Sequence, residues 1–402
     1  MQTDSTPRLR VALVGEYPVA EGAILEGGVQ SVTYALAHAL AGRPDIDCHV
    51  VAAMNNAPTT YRQIGALHVH YVRRLNLPRL VTLRTNDVPR LIPVIRSIKP
   101  DVVHGQGQDR HALGALGSKL PCVITPHGVL FIESRLLQKS RWDALGVLKR
   151  RTVTQMEQEV FRRAQDMIII SRYLPRVYGT MLTARSYFIE NPISDEYFHV
   201  QRAPEPGRML FVGTVVPRKS VHDIVRAIGE AVRKCDSQGE TDKAWRSQLH
   251  FRIAGPILNP GSEAEIRKAI DEYALQKHVT LLGAVSQAQL LDEYARAQVL
   301  LMASREETTP QVIAQAMACG LPVIASRVGG IPDMVEDGKS ALLFPFGDVQ
   351  ACATHIYRML DDEAFRQSIE STVRQQAQQR FHPQSVAAQT VSAYREIIAR
   401  QR

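Results

Sequence analysis

Residues 306–320 read EETTPQVIAQAMACG. The carboxylates Glu306 and Glu307 and two threonines lead into an apolar run that carries two amides, Gln311 and Gln315. Thr309 is expected to cap a helix, Pro310 to take its first position and Gly320 to end it. Val312, Ile313, Ala316 and Met317 should form an apolar stripe, with Gln311 and Gln315 one turn apart on another face. Glu307 stands eight residues before Gln315, about two helical turns, so both can line one side of a cleft. A carboxylate and an amide there suit sugar and ribose hydroxyls, and the helix end suits a phosphate. A capped helix with an ordinary polar surface is the competing reading of this stretch alone.

Three further places carry candidate chemistry. In MLFVGTVVPRKSVHDIV a strand runs into Gly213 and Thr214, then a short loop with Arg218 and Lys219, then a helix. Two cations at a strand end beside a helix N-terminus suit a diphosphate, although a solvated basic loop has the same composition. In VITPHGV, His127 directly follows a strand, where a histidine can act on a ligand or simply be structural. The long first loop, GEYPVAEGAILEGGVQSV, ends in Gly27 and Gly28 before a helix; glycines there let a ligand approach the backbone, or merely turn the chain. There is no GxGxxG and no GxxxxGK[ST], so neither a dinucleotide fingerprint nor a P-loop is present.

The elements that must hold these residues are short β-branched runs alternating with helical patterns. LRVALVG, CHVVAA, LHVHYV, DVVHGQ, CVITPHG, MIIIS and SYFIE fill the first half; MLFVGT, LHFRIAG, VTLLG, VLLMAS, PVIAS and ALLFP fill the second. This rhythm predicts an α/β protein with parallel sheets covered by helices on both faces. Residues 191–206 are rich in proline and charge and read as a linker. Two Rossmann-like, doubly wound domains follow, 1–190 and 207–380, with a closing helix in 381–402. Ligands of open parallel sheets bind at the carboxyl ends of the strands, so two such domains facing a cleft would place the chemistry there.

Composition narrows the classes. The chain has 402 residues and a net charge of +8, of which residues 1–200 contribute +7 from 24 basic and 17 acidic side chains. A basic first half suggests an anionic partner such as a phosphorylated substrate, anionic lipid or nucleic acid; solvated surface is the plain alternative. No recognisable nucleic-acid-binding module accompanies the charge. The segment RLLQKSRWDALGVLKRR (135–151) could form a basic amphipathic helix on an anionic membrane. No apolar run reaches the roughly 18 residues of a membrane span, and MQTDSTPRLR lacks a signal-peptide core, which predicts a cytoplasmic protein. The five cysteines are scattered, without metal-ligand spacing.

Taken in order, EGGVQSV, DVVH, PHG, ISRY, IENPIS, FVGTVVPRK, AGP, LLG and EETTPQVIAQAMACGLPVIASRVGGIPDMVEDG resemble the retaining, nucleotide-sugar-dependent glycosyltransferases of family 4, which have two Rossmann-like domains in the B-type (GT-B) fold. The resemblance spans nearly the whole chain. It implies transfer of a glycosyl group from a nucleoside diphosphate sugar to an acceptor hydroxyl, such as a sugar or lipid-linked one, with retention and without a metal or other cofactor. It places Glu307 at the position that faces the donor sugar and Gln315 where the family has a second glutamate holding the ribose. His127 matches an active-site histidine, Lys219 a donor-binding lysine, and Gly27-Gly28 the pair that approaches the donor phosphates. Thr214 stands where the family often has arginine, and Arg218 could supply that charge. The first domain would then take the acceptor, the second the donor, and the closing helix would cross back onto the first. A glycosyltransferase-like subunit that binds without turnover is the alternative, motivated by Gln315.

Overall fold

The computed structural model describes residues 8–19, 27–55, 59–74, 87–136 and 144–401. The chain divides into two compact units, one of residues 1–194 with 382–402 and one of residues 195–381.

The first unit is built on an eight-stranded sheet. Its strands are β1 (Leu9–Val14), β2 (Ile46–Asn55), β3 (Thr60–Ile64), β4 (Leu67–Arg74), β5 (Val102–Gln106), β6 (Cys122–Thr125), β7 (Asp166–Ile169) and β8 (Arg185–Phe188). Their order is β3-β4-β2-β1-β5-β6-β7-β8. All neighbours are parallel except β3, which pairs antiparallel with β4. The chain winds outward through β2 and β4, then returns to β5 and winds the other way, so the strand order reverses between β1 and β5. Central strands are covered on both faces and must be apolar throughout; Val11, Ala12, Leu13 and Val14 have no exposed surface at all.

The second unit carries a six-stranded parallel sheet of β9 (Arg208–Val212), β10 (His250–Ala254), β11 (Val279–Gly283), β12 (Val299–Met302), β13 (Val323–Ser326) and β14 (Leu342–Phe344). The order is β11-β10-β9-β12-β13-β14, reversing between β9 and β12. Both sheets are therefore doubly wound, and each has a switch point at the carboxyl end of its first strand.

Three sequence expectations need adjustment. Strand β3 (TYRQI) was not expected; it is an edge strand with its three central residues exposed, so no apolar alternation announces it. Residues 191–206 are not a bare linker. Asp195–His199 forms a 3₁₀ turn with Tyr197 and Phe198 buried, and Arg202 donates to the carbonyls of Tyr294 and Ala297 at 2.6 and 2.7 Å. The segment 135–151 is not a single described helix. One helix ends at Leu136 and another begins at Ala144, and residues 137–143 lie outside the described residues.

The closing helix, Pro383–Gln401, packs in the first unit. Tyr394 and Ile397 are fully buried, and Arg400 pairs with the buried Asp166 at 2.6 Å. Among the described residues no helix is long and apolar enough to cross a membrane.

Candidate active site

The second unit gathers its candidate residues at the β9/β12 switch point. Strand β9 ends at Val212, and the loop continues through Gly213 and Thr214, both half-buried, into a 3₁₀ turn, Pro217–Lys219. Gly255, after β10, is why the loop can lie so close. A Cβ there would stand 2.1 Å from the Gly213 carbonyl oxygen. Strand β12 leads into the loop that carries Glu307. The two loops lock together through backbone groups: Arg305 N–H donates to the Arg218 carbonyl at 2.8 Å, and the Arg218 guanidinium donates to the Glu306 carbonyl at 2.5 Å.

Glu307 is the centre of this arrangement. Its Oε1 lies 2.5 Å from Lys219 Nζ and 3.0 Å from an Arg218 guanidinium nitrogen. Only 8% of Glu307 is exposed, so it is not the solvent-facing loop carboxylate its position in the sequence suggests. Burial alone would raise its pKa, but Lys219 and Arg218 hold the carboxyl below its ordinary value. The Glu307 carbonyl accepts from Gly330 N–H at 2.9 Å. At Gly329, φ is +55° and a Cβ would fall 1.8 Å from that same carbonyl oxygen, so the VGG turn must have glycine there.

The following helix runs from Gln311 to Cys319. Pro310, with extended backbone angles, is the N-cap and supplies no side-chain cap; Thr309, expected at that position, lies one residue earlier and is half-buried. The helix is apolar nearly all round, since Ile313, Ala314, Ala316, Met317, Ala318 and Cys319 are all buried. An amide on such a helix must find a partner or face a ligand. Gln315 is 8% exposed, and its Oε1 accepts from Tyr294 OH at 3.0 Å. Gln311 Oε1 is buried and has no hydrogen-bond partner.

The first unit has a polar network at the carboxyl ends of β5 and β6. His127 Nε2 is 2.7 Å from Gln106 Oε1, and its backbone N–H donates to Gln108 Oε1 at 3.2 Å. The Gln106 amide reaches His104 Nε2 at 3.1 Å, and His104 Nδ1 lies 2.6 Å from Tyr394 OH on the closing helix. Gln108 in turn contacts Glu157, which also accepts from Tyr178 OH at 2.5 Å. Burial lowers the His104 pKa to about 3 and that of His127 to about 4, the latter against the pull of Asp109. Both imidazoles are therefore neutral near pH 7. A neutral His127 that donates from Nε2 to Gln106 keeps a lone pair on Nδ1.

Gly27 is the exposed N-cap of the helix Gly28–Ala41, with φ +90°. Residues 20–26 before it lie outside the described residues. The structure thus brings Arg218, Lys219 and Glu307 into direct contact and sets Gln311 and Gln315 on the adjoining helix. Sequence reasoning passed over Gln106, Gln108, Glu157 and Tyr294. The signal for the first two was GQGQ at the carboxyl end of β5, a polar repeat at a switch point; Tyr294 and Glu157 sit on helices and gave none.

Comparison with known proteins bears on both units. Residues 26–196 match the family described as Glycosyltransferase Family 4, and residues 194–376 match Glycosyl transferases group 1. N-acetyl-alpha-D-glucosaminyl L-malate synthase of Bacillus anthracis is 23% identical over 311 residues, covering 74% of this chain and 75% of that protein. Among solved structures, sucrose-phosphate synthase from Thermosynechococcus elongatus aligns with a TM-score of 0.76 at 19% identity, over 98% of this chain and 100% of that one. Anabaena Alr3699/HepE in complex with UDP and glucose gives 0.69 at 16% identity, over 97% and 100%. At such identities the structural likeness is one of fold.

Proposed function

From the premise that the chain belongs to the family 4-like glycosyltransferases of the B-type fold, we propose that it transfers a hexosyl group from a nucleoside diphosphate sugar to an acceptor hydroxyl with retention of configuration. The observation that carries this reading is the Arg218–Glu307–Lys219 cluster at the β9/β12 switch point. Two cations against one carboxylate leave net positive charge where ligands of doubly wound sheets bind, and a helix begins four residues further on at Gln311.

The chemistry follows from what these groups do when a donor arrives. Its diphosphate competes with Glu307 for Arg218 and Lys219. The cations then stabilise the negative charge that builds on the leaving diphosphate, which is the main barrier to glycosyl departure. Glu307, released from one of its partners, accepts from hydroxyls of the donor sugar and orients it. The orphaned Gln311 Oε1 accepts a hydrogen bond from the nucleoside. Gln315 holds its oxygen toward Tyr294 and offers its amide N–H to a ribose hydroxyl. In the first unit, the neutral His127 offers its Nδ1 lone pair to an acceptor hydroxyl. The cations already supply the charge stabilisation a metal would bring, so the step needs no metal.

The acceptor is a sugar or a lipid-linked hydroxyl. The +7 charge of residues 1–200 supports peripheral contact with the anionic cytoplasmic face of a membrane. HepE was captured with UDP and glucose, so UDP-glucose is the first donor to try. The test is release of nucleoside diphosphate from a panel of donor sugars, with the product anomer read by NMR. Release with retained configuration supports the proposal, and an inverted anomer refutes its stereochemistry. Tight donor binding with no release from any donor or acceptor favours the alternative of a binding subunit, for which the Gln315–Tyr294 contact is the motivating feature.

A further inference from the structure

A cluster of histidines lies on the adjacent strands β2 and β4 of the first sheet, toward their amino-terminal ends and away from the switch point. In the parallel β2/β4 pair His49 stands opposite His68, and Asp47 precedes His49 on the same face. We propose that Asp47, His49 and His68 form a binding site for a divalent transition-metal ion of the zinc class.

The geometry assigns each atom a part. Asp47 Oδ1 lies 3.2 Å from His49 Nε2 and 3.7 Å from His68 Nε2, and the three ligand atoms fall within 4.8 Å of one another. His49 Nε2 is buried and makes no well-aligned hydrogen bond, with the Asp47 carboxylate 3.2 Å away. The other nitrogen of each ring is held from outside. His49 Nδ1 is 3.1 Å from His70 Nε2, and His68 Nδ1 is 2.7 Å from Tyr61 OH. With His49 donating to His70 and His68 to Tyr61, both Nε2 lone pairs are left for an ion. Such outer partners fix the tautomer of metal-bound imidazoles. The second carboxylate oxygen is likewise occupied, since Arg10 Nε donates to Asp47 Oδ2 at 2.7 Å.

Two imidazoles and one carboxylate are a donor set that zinc accepts with water in the fourth position. The two rings stack at 4.6 Å with 18° between their planes, so binding turns them about χ2 to bring both lone pairs onto one point. The side chains are 13–26% exposed, and an ion can reach them. The ion would clamp β2 to β4 and stabilise this edge of the sheet by binding only the folded chain. Because the site lies at the opposite ends of the strands from the switch point, sugar transfer should not require it.

The test uses untagged, chelator-treated full-length protein titrated with Zn²⁺ by calorimetry, with Co²⁺ absorption reporting coordination. The expected result is one equivalent of zinc, a thermal midpoint that rises with zinc concentration, and a loss of at least tenfold in affinity in His68→Gln and Asp47→Asn. Tyr61→Phe keeps all three ligands and removes only an outer contact from a side chain that is 51% exposed. It should weaken zinc about tenfold without altering the metal-free midpoint, a split that a merely structural tyrosine would not give. His199→Gln, at an exposed histidine of the second unit, should change nothing. Absence of a stoichiometric equivalent, or equal affinity in wild type, His68→Gln and Tyr61→Phe, would overturn the site.

Discussion

Replacing Glu307 with alanine should destabilise the second unit as well as stop transfer. The side chain is 8% exposed and touches two cations whose side chains are themselves only 24% and 12% exposed, Arg218 and Lys219. Removing one partner from a fully buried ion pair costs about 3–5 kcal/mol because the other charge is left unsolvated. Water reaches Arg218 and Lys219 in part, so the expected loss is about 2–4 kcal/mol. The strain of the unpaired cations should be separable from lost packing. Lys219→Met in the Glu307→Ala background removes one of those charges and should recover about 1–2 kcal/mol, a coupling that a double-mutant cycle reads directly. The chain has two tryptophans, and Trp245 is 4% exposed in the second unit. In a Trp142→Phe background, urea unfolding followed by tryptophan fluorescence therefore reports that unit alone, which matters because two units need not unfold together. A loss below about 0.5 kcal/mol, the usual size of a surface substitution, would show that Glu307 is solvated in solution and that the cations do not depend on it.

Lys219→Ala should weaken nucleoside diphosphate binding by about 1.5–3 kcal/mol, the worth of a charge-assisted contact; unchanged affinity by calorimetry removes it from the donor site. Gln315→Glu should keep the Tyr294 contact and tighten the donor by up to about 1 kcal/mol, with ribose favoured over deoxyribose more than in wild type; an unchanged ribose/deoxyribose ratio would place Gln315 away from the ribose. Gly329→Ala should cost more than about 2 kcal/mol, because it adds left-handed strain to an overlap with the Glu307 carbonyl, and a midpoint within error of wild type would contradict that packing. The histidines His104 and His127 have folded pKa values of about 3 and 4, below the roughly 6.5 of an unfolded chain. Between those values the unfolded state binds more protons, so the first unit should be fully stabilised above about pH 6.5 and lose about 1.4 kcal/mol per pH unit per histidine as pH falls toward 4. Equal unfolding midpoints at pH 7 and pH 5 would count against neutral, buried imidazoles.

The fold was legible because its strands are buried on both faces. A parallel strand such as VALV or VLLM must be apolar at every position, and such runs separated by helical stretches admit few architectures. What escaped was held by other forces. Strand β3 keeps its place by pairing with β4 at an edge, where its middle residues can be polar. The packing of 191–206 depends on Arg202 reaching carbonyls near residue 295, a contact between segments far apart in sequence that local composition cannot announce.

The candidate site was legible in its residue types and not in its charge state. Spacing marked Arg218, Lys219 and Glu307 as separate functions, two for phosphate and one for sugar. In the structure they form one electrostatic unit, because the two loops are joined backbone to backbone by Arg305 N–H and the Arg218 carbonyl, while Gly255 backs the first loop at Gly213 and Gly329 backs the second at Glu307. The consequence is chemical. Under the proposed function, a carboxylate that already neutralises part of the cationic pair would set the field that a diphosphate meets, and the diphosphate would in turn decide whether that carboxylate is free for sugar hydroxyls. Donor binding and the readiness of Glu307 would then be one equilibrium. A substitution at any of the three residues should change donor affinity and turnover together, even where the substituted side chain itself touches only one end of the donor.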